Sequence, residues 1–183
     1  MLVSAFDEVS KRYPEMVMLL APRHPERFEE VARLLTDHGV RFRKRSRWQG
    51  ESLNGSILLV DSIGELAGLY ALADIAFVGG SLVPRGGHNI IEPAQHSVPI
   101  LVGEHTDNFR DIVNVFRLSD AVRVVTPDQL GATFLALLDA DVERQNLGKR
   151  ARDVLESQRG ATGRTLNELK TLMARPAHEA QLA

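Results

Sequence analysis

Continuous apolar runs of strand length alternate with amphipathic segments along most of this 183-residue chain. Such runs are typical of strands in a parallel sheet covered by helices, and the first of them predicts a strand buried on both faces. They are MVMLLA at 16–21, SILLVD at 56–61, DIAFVGG at 74–80, PILVG at 99–103 and AVRVV at 121–125, with a shorter strand near 40–43. The chain opens instead in a helical pattern, with four apolar residues on one face: Leu2, Val3, Phe6 and Val9.

Helical segments follow the strands, at about 25–38, at about 64–73, behind PILVG, and through the C-terminal third from Thr126. Strands that alternate with helices of this length indicate βαβ crossovers and a mainly parallel sheet. We therefore predict a Rossmann-like, doubly wound α/β fold. We interpret residues 1–183 as a single domain whose helical C-terminal part is 126–175, and we expect the end from Arg175 to be frayed.

The position of the first helix is unusual for this class, because a doubly wound domain ordinarily begins with a strand. In a sheet of order 3-2-1-4-5-6, that first strand lies in the middle. We therefore expect a fragment that lacks its first strand and whatever preceded it, or else a sheet that never had this strand. Direct pairing of the neighbouring strands, strand exchange between chains and a shifted start are all compatible with the sequence.

The composition narrows the classes of function. Apolar residues make up 44% of the chain and charged residues 25%, which is typical of a soluble globular protein. Lys and Arg total 22 against 24 for Asp and Glu, so no overall positive field favours nucleic acid. Cysteine is absent, which excludes disulfides and thiol catalysis. No apolar run approaches the roughly 20 residues of a membrane span. His24, His88 and His105 lack the spacing of a zinc site, and we predict no metal.

Polar or glycine-rich sequence follows four of the apolar runs. These segments are PRHP at 22–25, DSIGE at 61–65, the glycine-rich stretch from 79, and GEHT at 103–106. Ligands of open α/β sheets bind outside the carboxyl ends of the strands, so four such turns predict one binding crevice. The alternative is that these loops are polar only because they lie at the surface.

The stretch GGSLVPRGGHNIIEP at 79–93 allows two interpretations. In the structural one, Asn89 is the N-cap of a helix, Glu92 is its capping-box partner and Pro93 lies in the first turn. In the functional one, the glycines leave the amides of residues 86–89 open to a phosphate at a positive helix end. Glu92 then accepts hydrogen bonds from ribose hydroxyls. The number of glycines favours the nucleotide site.

Two segments together resemble the C-terminal half of the 3-deoxy-D-manno-octulosonic acid (Kdo) transferases, which are GT-B glycosyltransferases. They are APRHPERF at 21–28 and the stretch from DSIGEL to NFRDI at 61–112. The combination of PRHPER, DSIGEL and GGSLVPRGGHNxxEP is specific, and the match covers most of the chain. The resemblance implies an enzyme of lipopolysaccharide biosynthesis that transfers Kdo from CMP-Kdo to the lipid A precursor, with inversion. It places that enzyme at the cytoplasmic side of the bacterial inner membrane, and we expect this chain alone to be soluble and inactive.

The pattern of the family implies roles for individual residues. The residues expected at the cytosine are Pro22, Arg23, Ile63 and Gly64. Those expected at the phosphate are Gly87, His88 and Asn89, with Arg85 and Arg110 as further candidates. Glu92 is expected at the ribose hydroxyls. A GT-B fold needs no metal or other cofactor for this role. The acceptor surface and the general base belong to an N-terminal domain that this chain lacks, so no catalytic residue is assigned here.

Other interpretations stay open. The parent enzyme could be a GT-B glycosyltransferase that uses a UDP-sugar, or the chain could be a non-catalytic nucleotide-binding remnant. A Rossmann dehydrogenase is disfavoured, because no G-x-G-x-x-G motif opens a first βα turn. The basic stretch RFRKRSRW at 41–48 suggests peripheral contact with anionic lipids or with acceptor phosphates, but we favour a solvated loop.

Overall fold

In the computed structural model, which describes residues 1–174, strands and helices alternate along the chain. The strands are β1 Val17–Leu20, β2 Phe42–Lys44, β3 Ser56–Leu59, β4 Ala76–Val78, β5 Ile100–Val102 and β6 Arg123–Val124. The α-helices are α1 Leu2–Ser10, α2 Phe28–Asp37, α3 Leu66–Leu69, α4 Ile91–Gln95, α5 Arg110–Leu118, α6 Leu130–Asp139 and α7 Asp141–Ala174. Short 3-10 turns lie at Pro25–Arg27, Arg45–Arg47, Tyr70–Leu72, Asp107–Phe109 and Pro127–Gln129.

The helices bear on two predictions from the sequence, the helical C-terminal part and the absence of a membrane span. The C-terminal part is helical from Pro127 to Ala174, and the expectation for the end from Arg175 lies outside the described residues. Among the described helices, none is both long enough and apolar enough to cross a bilayer. The assignment of residues 1–183 to a single domain stays a prediction.

The strands form two parallel sheets of three strands each, in the orders β1-β3-β2 and β4-β5-β6. In the first, Val17 lies opposite Ser56, and in the second, Ala76 lies opposite Ile100. The α/β class with parallel strands is therefore confirmed. Within the described residues no strand ladder joins β1 to β4, so the direct pairing that we considered does not occur there. In a 3-2-1-4-5-6 sheet, the first strand would lie at this interruption.

Helices cover both faces of the second sheet, as expected for a doubly wound fold. Alternate residues of a strand point to opposite faces. Accordingly, Ile100 and Val102 pack in a core with α4, α5 and α7, whereas Leu101 packs in another core with α1 and α6. All three side chains are buried. Because β5 is the central strand of its sheet, this continuous burial explains why PILV is uniformly apolar.

Helix α1 packs against both sheets. Its Ala5 belongs to the core that contains Leu101, and the neighbouring Phe6 belongs to the core of the first sheet, with Leu35 of α2 and Ile57 of β3. Both residues of α1 are buried. The helix that opens the chain therefore connects the two halves of the domain through side-chain packing.

Strand β1 departs from the prediction that it is buried on both faces. Its residues are half-buried, and Val17 is 37% exposed, whereas all four residues of β3 are buried. The physical reason is its position: β1 pairs only with β3, so one edge of an apolar strand has no ladder partner in the described part of the chain. Uniform apolarity correctly predicted a strand here, but its burial depends on neighbours that the pattern does not specify.

Candidate functional site

The loops that follow β1, β4 and β5 are joined by hydrogen bonds at the carboxyl edge of the two sheets. The loop after β1 contains Arg23, and Arg23 Nη1 donates a hydrogen bond to Nδ1 of His88, 2.8 Å away, in the loop after β4. This bond joins residues from the two different sheets. Two segments that we predicted to share one crevice are therefore brought together.

The environment of His88 favours its neutral form. Partial burial lowers the pKa of the imidazole, and the neighbouring Arg23 guanidinium lowers it further. A neutral imidazole can accept the hydrogen bond from Arg23 at Nδ1. An incoming anion beside His88 and Arg23 would reverse this balance, because it favours a protonated imidazole.

The glycine-rich loop is folded tightly on itself and on the loop after β5. The Gly87 amide donates to the Gly80 carbonyl at 2.9 Å, and the Asn108 amide donates to the Gly86 carbonyl at 3.0 Å. Gly80, Gly86 and Gly87 all have positive φ angles, which residues with a side chain rarely adopt. A Cβ on Gly86 would also lie 2.3 Å from the Asn108 side chain. The glycines are therefore required by the shape of the loop itself.

This geometry corrects one part of the phosphate prediction. We expected the amides of residues 86–89 to be open, but the Gly87 amide is used within the loop. The amides of Gly86, His88 and Asn89 have no hydrogen-bond partner in the described part of the chain. Gly86 is buried, so the amides of the half-buried His88 and Asn89 are the donors of this segment left for an anion beside the Arg23 and His88 pair.

Ser81 is a residue of the site that the sequence analysis missed. Its hydroxyl donates to the Val78 carbonyl at 2.7 Å and accepts from the Gly103 amide at 2.8 Å, and the side chain is 0% exposed. Its carbonyl accepts from the His105 amide at 2.9 Å. The serine therefore connects the ends of β4 and β5 where their ladder stops. A Cβ on Gly103 would lie 2.1 Å from the Ser81 carbonyl oxygen, which is closer than any contact can be.

The start of helix α4 differs from the structural interpretation of HNIIEP. The helix begins at Ile91 rather than at Asn89, and no side chain caps it in the capping-box manner. The Asn89 side chain instead accepts a hydrogen bond from the Ile91 amide at 3.0 Å, so it closes a local turn before the helix. The expectation that Asn89 is the N-cap and Glu92 its capping partner is therefore wrong. Glu92 is half-buried and is not occupied by capping.

Tyr70 is a second residue that the sequence analysis did not single out. It lies in the 3-10 turn after α3, and burial raises its pKa to about 12, with a further contribution from the Glu92 carboxylate. Helix α4, which contains Glu92, packs against this 3-10 turn. Elements that follow β3 and β4 thus converge here too. Nothing in the sequence around Tyr70 distinguished it from an ordinary aromatic residue of a helix.

The remaining predicted residues lie around this edge. Pro22 is half-buried directly after β1, and Ile63 and Gly64 form the exposed tip of the loop after β3, with Ile63 80% exposed. Arg85 is exposed in the glycine-rich loop, and Arg110 is exposed and paired with Asp107 at 2.6 Å. Their contacts with a nucleotide stay predictions. Among the residues whose side chains the structure describes, no group of three or more His, Asp or Glu is arranged to hold a metal ion.

Comparison with known proteins identifies relatives of this chain, although no protein-family model matches it. It is 42% identical over 166 residues to the 3-deoxy-D-manno-octulosonic acid transferase of Haemophilus influenzae, and 39% identical over 161 residues to that of Bordetella pertussis. These matches cover 90% and 86% of this chain, but 39% and 37% of the relatives. The chain thus spans about two fifths of the length of the curated relatives it matches.

One solved structure is similar over most of its own length. It is the C-terminal CMP-Kdo binding domain of WaaA from Acinetobacter baumannii, which is 37% identical in sequence and superposes with a TM-score of 0.77. The match covers 84% of this chain and 80% of that domain. The chain therefore belongs to the 3-deoxy-D-manno-octulosonic acid transferase family, and its fold is that of the family's C-terminal domain.

Proposed function

We propose that this chain is the donor-binding domain of a Kdo transferase and binds CMP-Kdo at the carboxyl edge of its two sheets. The parent enzyme would transfer Kdo to the lipid A precursor at the cytoplasmic face of the bacterial inner membrane. The observation that carries the proposal is the 2.8 Å hydrogen bond between Arg23 and His88, because it unites the two most specific motifs beside open backbone amides. The Acinetobacter relative, described as a CMP-Kdo binding domain, supports the identity of the ligand.

In this proposal each part of the edge has a separate task. The amides of His88 and Asn89 bind the phosphate of CMP, and Arg23, which we expected at the cytosine, holds the His88 ring beside that phosphate. Glu92, free of helix capping, accepts hydrogen bonds from the ribose hydroxyls. The loops containing Pro22 and Ile63 contact the cytosine.

During transfer, these groups would stabilise the negative charge that develops on the departing CMP. Backbone amides and cationic side chains that already point at that charge lower the barrier without reorganising. A base in the part of the parent enzyme that this chain does not span would deprotonate an acceptor hydroxyl. That oxygen would attack the anomeric carbon, and the bond to the CMP phosphate oxygen would break with inversion.

The direct test is a calorimetric titration of the purified chain with CMP, with UMP and NADH as competing candidates. We expect selective binding of CMP. Preference for UMP would indicate a UDP-sugar enzyme instead. If the chain is folded, as shown by circular dichroism, and does not bind CMP, the proposal for this chain is contradicted.

The ribose assignment is tested by Glu92→Ala, with Glu15→Ala as the matched control. Glu15 is exposed and precedes β1, at the opposite edge of the sheet. Hydrogen bonds to a charged group contribute about 1.5–3 kcal/mol, so we expect Glu92→Ala to weaken CMP binding about 10- to 100-fold. The control should bind as the parent chain does. Unchanged affinity in a folded Glu92→Ala variant would contradict the assignment.

A further inference from the structure

Three of the five cations in the basic stretch at 41–48 contact other parts of the chain, whereas Arg43 and Arg47 are exposed and make no such contact in the described residues. Lys44 pairs with Glu29 of α2, and Arg41 donates to the Asn54 carbonyl. Arg45 Nε lies 3.0 Å from Glu65 Oε2, in the loop after β3. These contacts hold the turn at Arg45–Arg47 against the neighbouring loop after β3.

The parallel pairing of β2 with β3 determines which residues meet beyond the strands. Lys44 lies opposite Leu59 in the ladder. The same register, continued by two residues, places Ser46 opposite Asp61. Both turns emerge at the carboxyl edge, because parallel strands end on the same side. The basic turn is thus held directly beside the DSIGE loop.

Ser46 binds both oxygens of the Asp61 carboxylate. Its amide donates to Oδ1 at 2.8 Å, and its hydroxyl donates to Oδ2 at 2.6 Å. Burial raises the pKa of the Asp61 carboxyl, but the hydrogen bonds from Ser46 outweigh this effect, and the pKa lies below its usual value. Asp61 is therefore ionised at neutral pH, and both hydrogen bonds are charge-assisted.

The other end of the DSIGE loop is held in the same way. Glu65 accepts from the Ser62 hydroxyl at 3.0 Å and pairs with Arg45 at 3.0 Å. Between these two fixed carboxylates lie Ile63 and Gly64, which make few contacts of their own. Gly64 has a φ of 88°, and Ile63 is 80% exposed. The position of Ile63 and Gly64 therefore depends on the contacts that the turn at Arg45–Arg47 makes with Asp61 and Glu65.

We propose that Arg45 and Ser46 are positioning residues that hold the Asp61 and Glu65 ends of the DSIGE loop, so that Ile63 and Gly64 present a fixed surface to the nucleotide base. This inference rests on the proposed function for the identity of the ligand. It assigns Arg45 and Ser46 of the basic stretch to the support of the donor site. Neither residue touches the ligand in this arrangement, since both act through the loop.

The test combines hydrogen exchange with nucleotide binding. The variants are Ser46→Ala, Ser46→Thr as the conservative replacement that keeps the hydroxyl, and Arg45→Ala. Arg47→Ala is the matched control, because Arg47 lies in the same turn, is exposed and makes no side-chain hydrogen bond within the described residues. Exchange is measured for peptides covering 61–66 and, for comparison, 79–92.

We expect Ser46→Ala and Arg45→Ala to speed exchange in 61–66 and not in 79–92. We also expect each to weaken CMP binding about 3- to 10-fold, less than the loss of a direct contact with the ligand, because both residues act through the loop. Ser46→Thr and Arg47→Ala should behave as the parent chain in both measurements. Unchanged exchange in 61–66 would overturn the positioning role. Faster exchange with unchanged CMP affinity would overturn its link to the base. Failure of the parent chain to bind CMP would instead contradict the proposed function, and the exchange data would still report on the loop.

Discussion

Replacement of Ser81 by alanine removes a single oxygen atom from the junction between β4 and β5. That oxygen is the acceptor for the Gly103 amide and the donor to the Val78 carbonyl. The alanine side chain fits the same space, so no steric effect accompanies the change. The experiment therefore isolates the contribution of two buried hydrogen bonds to the shape of the glycine-rich loop.

The size of the effect follows from burial. Ser81 is 0% exposed, so water cannot simply replace the lost hydroxyl. A buried polar group left without its partner costs about 1–3 kcal/mol, and here two groups lose one. We expect Ser81→Ala to lower the free energy of unfolding by about 2–4 kcal/mol, a large part of the roughly 5–15 kcal/mol of a typical domain.

Urea unfolding followed by far-ultraviolet circular dichroism measures this difference. The control is Ser119→Ala, because Ser119 is exposed and its hydroxyl makes no hydrogen bond in the described part of the chain. The control should change stability by less than about 0.5 kcal/mol. A change of similar size for Ser81→Ala, with an unaltered urea dependence, would refute the conclusion that this hydroxyl joins the two strands.

Two further predictions concern the same edge. In an NMR titration, the pKa of His88 should lie below the ordinary histidine value of 6.5, and it should rise in the Arg23→Ala variant. Because the pKa is lower in the folded state than in the unfolded state, the contribution of His88 to stability is present above pH 6.5 and is lost as the pH falls. A midpoint at or above 6.5 would contradict the environment described. Gly103→Ala should destabilise the fold at least as much as Ser81→Ala, whereas Gly68→Ala, whose Cβ would meet nothing within 4 Å, should be neutral or stabilising in thermal unfolding. Equal effects of the two glycine replacements would show that the loop adjusts to a Cβ at Gly103.

The strands were predictable because burial leaves a direct trace in the sequence. SILLV and PILV are uniformly apolar, and β3 and β5 lie within these runs. The partial exposure of β1 was not predictable, because MVMLL has the same pattern and differs only in lacking a neighbour on one side. The local sequence pattern shows which side chains of a strand are apolar, but the position of the strand in the sheet determines how far those side chains are buried.

Those parts of the candidate site that lie within one short sequence motif were predictable. The glycines of GGSLVPRGGHN indicated a loop of special backbone shape, and their positive φ angles agree with this. Ser81 gave no such signal, since its partner Gly103 lies 22 residues further along the chain. The pairing of Ser46 with Asp61 likewise depends on the register between β2 and β3. Contacts between residues so far apart in the chain depend on the three-dimensional fold, so the sequence pattern alone could not predict them.

Under the proposed function, the separation of the strands into two sheets gives a bound nucleotide a second effect, on the stability of the domain. Arg23 follows a strand of the first sheet and His88 follows a strand of the second, so a molecule bound between them is a cross-link between the halves. A ligand that binds only when both halves are in place stabilises the folded state, and this stabilisation grows with the logarithm of one plus the ratio of free ligand concentration to Kd. The melting temperature of this domain is then itself an affinity assay, and a weak ligand at high concentration strengthens the fold as a tight one does at low concentration.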